Sequence, residues 1–165
     1  MDKLSKCFEG SKNSSPKMLR KERSVNLAEG HLEKAHQNLF VAKLMSDNKF
    51  FDWSITCSYY AMYHATMASL WLIGLYARFH ECAIAAFEAL YVKDQKVENE
   101  YLRYVQMART LNKKYADSLE YAKAERIKAS YGLVEITSPE ASKVLSNARE
   151  FVAKINELVL EAKGI

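Results

Sequence analysis

The chain has 165 residues, the size of one domain with a single substantial core. Hydrophobic residues make up 49% and charged residues 27%, with only five glycines and two prolines. A disordered or fibrous chain is excluded, and so few turn formers argue against a sandwich or barrel, which leaves an all-α fold.

The net charge of +4 is confined to residues 1–25, which hold seven basic and three acidic groups. The remaining 140 residues hold 17 of each and balance. The opening MDKLSKCFEG lacks the apolar core of a signal peptide, and SKNSSPK at 11–17 reads as a loop. Residues 1–25 are therefore expected as a basic N-terminal arm set apart from a bundle of residues 26–165. Such an arm suits a phosphate backbone or an acidic partner, and equally a solvated tail. Cys7, Cys57 and Cys82 are odd in number and have no CxxC spacing. They are read as carrying no disulfide framework and no metal site, which fits a reducing cytoplasm.

Beyond the arm the helical period is clear. Ala28, Leu32, Ala35, Leu39 and Ala42 share one face of a helix predicted over about 26–46, closed by Asp47-Asn48. A second helix, about 50–74, is apolar on nearly every side and ends at Gly74. Its residues Thr56, Ser58, His64, Thr66, Ser69 and three tyrosines suit a central bundle helix better than a membrane span. A third helix is predicted over about 79–93, with Ala83, Phe87 and Leu90 inward. A fourth covers about 98–131, bent or broken near Leu111–Lys113. Thr137-Ser138-Pro139-Glu140 is a helix start, followed by an unbroken stripe of Ala141, Leu145, Ala148, Val152, Ile155 and Val159.

Two features stand out for function. SYYAMYHA at 58–65 crowds tyrosines and a histidine into an apolar run, although buried polar atoms need partners. Tyr59 and Tyr63 share one helix face, while Tyr60 and His64 share the adjacent one. His64 is a candidate base or a satisfied core histidine, and His80 opens the third helix as a site candidate or a packing residue. The second feature is the stripe Tyr115, Leu119, Ala122, Arg126, Ala129 and Leu133, whose fourth member is an arginine that cannot be neutralised. Either its stem snorkels at the bundle edge, or its head meets a carboxylate or phosphate in a cleft. His31 and His36 are five apart and make a poor metal pair, and His80-Glu81-Cys82 has no second ligand cluster. No Gly-rich phosphate loop, HExxH or GxSxG motif occurs. No metal and no cofactor are expected.

The order HLEKAHQNLFVAKLMSDNKFFDWSITCSYYAMYHATMASLWLIG, then ARFHECAIAAF, then YAKAERIKASYGLVEITSPEASKVLSNAREFVAKI resembles the small stand-alone HEPN-domain proteins of archaea and bacteria. The resemblance spans about residues 26–160, and rests most on SYYAMYHA, the His80 segment and Arg126–Tyr131. It implies an antiparallel helical bundle, usually dimeric, often encoded beside a minimal nucleotidyltransferase as toxin and antitoxin. It also implies a metal-independent endoribonuclease wherever an arginine is followed four to six residues later by a histidine. Here Tyr131 stands in place of that histidine, and no histidine follows His80. Arginine stabilises phosphorane charge but is a poor base, and tyrosine is a weak substitute for histidine.

The expectation is an all-α antiparallel four- to five-helix up-and-down bundle, cytoplasmic and, as the resemblance implies, a homodimer, with no membrane partner. Its function is expected to be nucleotide or RNA binding, with Arg126, Tyr131, Tyr59, Tyr63, His64 and His80 as the site and a nucleotidyltransferase as protein partner. A ribonuclease with a degenerate Arg-x4-Tyr motif and a non-catalytic helical interaction protein are the alternatives.

Overall fold

A computed structural model describes residues 3–9, 15–94, 97–107 and 136–164. In chain order these form α1 (Lys3–Phe8), β1 (Met18–Arg20), α2 (Val25–Asp47), α3 (Phe51–Leu72), β2 (Leu75–Ala77) and α4 (His80–Phe87). A π-helical turn, Glu88–Val92, continues α4. Helical residues 99–107 (α5) follow, and α6 (Ser138–Lys163) is last. The all-α bundle expected from composition is the observed fold, with one small two-stranded sheet added to it.

Each long helix has a local reason for its ends. Ser24 caps α2 by accepting from the Leu27 amide at 3.2 Å. Lys49 takes a left-handed φ of 64° in the tight turn that reverses the chain into α3. Thr137 and Glu140 form a reciprocal capping box at the start of α6, with a proline in the first turn, as the sequence signals. Gly74 follows α3 at φ 72°, where a Cβ would lie 2.4 Å from the Lys21 carbonyl oxygen. Only glycine fits that close approach.

The turn makes α2 and α3 antiparallel, and the Ser54 hydroxyl confirms the register by donating to the Ala42 carbonyl at 2.9 Å. Lys163 at the end of α6 pairs with Glu29 near the start of α2, so α6 runs back along both helices. Thirteen residues of α3 are buried, from Ser54 to Leu72, which makes it the central helix. The predicted stripe of α6 is buried throughout, with Val144, Asn147 and Phe151 added to it. Phe87, Phe151, Ile55, Met62 and Ile155 fill the middle of the core. The hydroxyls of Thr66 and Ser69 are satisfied by carbonyls of their own helix, and Tyr91 donates to the Ser69 carbonyl at 2.6 Å.

Two expectations for the N-terminus are corrected. The arm does not stand apart: β1 pairs antiparallel with β2, with Leu19 opposite Tyr76. Met18 and Cys7 are buried in a second small core with Met67, Leu70, Cys82 and Ala83. Cys7 and Cys82, 75 residues apart, are joined by a disulfide, which leaves Cys57 as the free thiol. Cysteine spacing carries no trace of this pair, because α1 and α4 meet only through the folded chain. With that bond in place, the odd cysteine count no longer argues for a reducing compartment. Among the described residues no helix is long and apolar enough to cross a membrane.

Candidate functional site

Four of the six residues singled out from the sequence come together on one side of α3. Tyr59, Tyr63 and His64 project from that helix, and His80 reaches them from the start of α4. The Tyr59 hydroxyl and His80 Nδ1 are hydrogen-bonded at 2.6 Å. Tyr63 stacks on the His80 ring, with centroids 3.8 Å apart and planes 13° apart. His80 is thus pinned by one tyrosine in its plane and another across its face. Arg126 and Tyr131, the other two, lie outside the described residues.

Two members were not singled out from the sequence. Tyr60 sets its ring edge-on to both Tyr59 and His80 and is 40% exposed, whereas Tyr59 is only 3% exposed. His31 of α2 meets His64 with Nδ1 atoms 3.1 Å apart, so one imidazole donates and the other accepts. The signal for His31 was available: it lies three residues after Ala28 and four before Ala35, at the edge of the buried stripe. His36, its sequence neighbour, is exposed and takes no part.

The electrostatics favour the neutral forms of His31, His64 and Tyr63. Burial, then the neighbouring His64 and Lys34, lower the His31 pKa from its usual 6.5 to about 4. Burial, Lys34 and His80 lower that of His64 in the same way. The Tyr63 phenol is pushed up by burial and by Tyr76 and Tyr60. At neutral pH His31, His64 and Tyr63 are therefore uncharged rings with polar edges beside the exposed Lys34 ammonium. Such rings offer π-faces for stacking, lone pairs for hydrogen bonds, and a nearby positive charge. Among the described residues no group of three His, Cys, Asp or Glu side chains is placed to hold a metal ion.

Toward the α2–α3 turn, three large apolar side chains are open to solvent. Phe40 near the end of α2 is 72% exposed, and Phe50 and Trp53 at the start of α3 are 55% and 56% exposed.

Comparison with known proteins gives a family and two relatives. The HEPN domain family matches residues 28–158, from α2 into the last turns of α6. A protein of Methanocaldococcus jannaschii named "Putative toxin MJ0605" is 27% identical over 130 residues, covering 79% of this chain and 87% of its own length. A Gloeobacter violaceus protein named "UPF0332 protein glr0978" is 36% identical over 56 residues, covering 34% of this chain and 44% of its own length.

Proposed function

This chain belongs to the HEPN domain family, and we propose that it serves as an RNA- or nucleotide-binding HEPN module, paired with a nucleotidyltransferase in the manner of a toxin and antitoxin. The observation that carries the binding half is the packed ring cluster of Tyr60, Tyr63, His64 and His80 beside Lys34. Stacked aromatic and imidazole rings near a cation are what single-stranded nucleic acid binds, because every base has a π-face. Arg126, with Tyr131 nearby in sequence, is the phosphate anchor of the same proposal. The relative named as a toxin supports the pairing half.

Fluorescence anisotropy with labelled single-stranded RNA tests the binding half. Tyr60→Ala and Tyr63→Ala should each weaken binding by about 1–3 kcal/mol, the worth of one stacked base. Arg126→Met should weaken it by about 1.5–3 kcal/mol while the protein stays folded. RNA affinity that ignores all three substitutions sinks the site assignment and leaves the plain helical interaction protein.

One observation favours the enzymatic alternative. His64 is held neutral and half-buried, the state a general base needs at neutral pH. Cleavage is expected to be slow or absent, because tyrosine replaces the family's histidine at 131. Robust metal-independent cleavage abolished by Arg126→Met would establish the ribonuclease instead. The exposed Phe40, Phe50 and Trp53 support a homodimer through this end of α2 and α3. Light scattering should give about twice 18.9 kDa, and a clean monomer counts against it.

A further inference from the structure

A cavity of about 370 Å³ lies between α1 and α4, away from the ring cluster. The arm supplies its charged wall, with Lys3, Lys6 and Lys17, and α4 supplies an apolar floor of Ile84 and Ala85. Two carboxylates also line it, but each already faces a cation. Lys17 bridges Glu81 at 3.0 Å, and Lys93 stands 3.7 Å from Glu88. Among the described residues, Lys3 and Lys6 meet no carboxylate. The cavity therefore presents two uncommitted ammonium groups over an apolar floor.

We propose that this cavity binds a phosphate monoester of mononucleotide size, and that the Cys7–Cys82 disulfide holds the site together. Lysine recognises phosphate as a compact point charge, and two lysines three residues apart on α1 sit on the same helix face. The floor suits the base or sugar of the same ligand. Cavities that hold small ligands run upward from about 300 Å³, so this one takes a single nucleoside monophosphate rather than a strand. The arm is essential because both uncommitted lysines belong to it. α1 has only six residues and depends on the bond to α4 to keep Lys3 and Lys6 over the floor. A dithiol reductant would supply two electrons and two protons, opening the bond to two thiols while it closes to its own disulfide.

Among the described residues the site shares no lining side chain with the ring cluster, so its success or failure is separable from the RNA binding proposed above. Isothermal titration of the oxidised full chain with adenosine 5′-monophosphate should show binding, with inorganic phosphate weaker and adenosine absent. Lys3→Gln and Lys6→Gln should each weaken the nucleotide about tenfold or more. Reduction with dithiothreitol, and separately Cys7→Ser, should weaken it comparably, with circular dichroism showing the bundle still helical. A short 5′-phosphorylated RNA should fail to compete. Absence of nucleotide binding, or binding indifferent to both lysine substitutions, would overturn the site. Adenosine binding as well as its phosphate would overturn the ligand class, and competition by the RNA would overturn the mononucleotide size. Affinity unchanged after reduction would overturn the role of the disulfide.

Discussion

The two long sides of α3 are held by different physics. One side faces α4 and α6 through Ile55, Met62, Phe87 and Phe151, a dry seam of apolar side chains close to fully buried. The other faces α2 and the start of α4 through the buried Tyr59 and the half-buried Tyr63, His64 and His80, rings joined by polar and stacking contacts. The dry seam gains by area removed from water and cares little which apolar groups supply it. The ring side gains only if each nitrogen and hydroxyl finds a partner in the right protonation state. A helix apolar on nearly all sides can thus support a core with one face and a recognition surface with the other.

The largest effect separating the two sides should come from Phe151→Ala. Phe151 is fully buried against Phe87, with ring centroids 5.3 Å apart. Its truncation should cost about 3–5 kcal/mol, read as a shift in the urea midpoint, with no pH dependence of its own. A cost under about 1 kcal/mol would mean the seam collapses around the gap, and that it is not the dominant side.

The ring side should show the opposite signature. Because the folded pKa of His31 is lowered to about 4 from 6.5, the unfolded chain binds the proton more readily between those values. Its contribution is fully present above pH 6.5 and is lost as the pH falls toward 4. His64, lowered in the same direction, adds to the slope. His31→Gln should flatten the fall in melting temperature over this window while leaving the neutral-pH fold intact. His31 is partly exposed, so solvent screening makes the effect smaller than that of the core truncation. An unchanged slope would show that the imidazole pair carries no proton linkage.

The smallest effect should come from Tyr59→Phe, which keeps the ring and removes the hydroxyl bonded to His80. The expected cost is about 0.5–1.5 kcal/mol, the net worth of one hydrogen bond. The more telling readout is the His80 imidazole resonance by NMR, which should shift as its Nδ1 loses that partner. A resonance that does not move would break the assignment of Tyr59 as the group that orients His80.

Much of this was legible in the residues themselves. The stripe of α6 from Ala141 to Val159 and the Thr137–Glu140 capping box are local patterns, and local patterns survive into the fold because the backbone enforces them. The central place of α3, with thirteen of its residues buried, followed from its composition. The pairing of Tyr59 with Tyr63 and of Tyr60 with His64 on adjacent faces followed from helical spacing alone, since residues four apart share a face. His80 joined them only because α4 starts where the β2 strand returns the chain.

What the chain by itself determined, then, is where it becomes helical and which face of each helix turns inward, since both follow from a period of 3.6 residues and from end chemistry. The tertiary structure decided which distant residues meet: Cys7 with Cys82, Leu19 with Tyr76, and His31 with His64. Such pairs lie 33 to 75 residues apart and leave no periodic trace, because their contact depends on how helices dock rather than on how any one forms. The same docking turns two ordinary imidazoles into groups held neutral, His31 by burial, His64 and Lys34, and His64 by burial, Lys34 and His80, a property neither residue has in the unfolded chain.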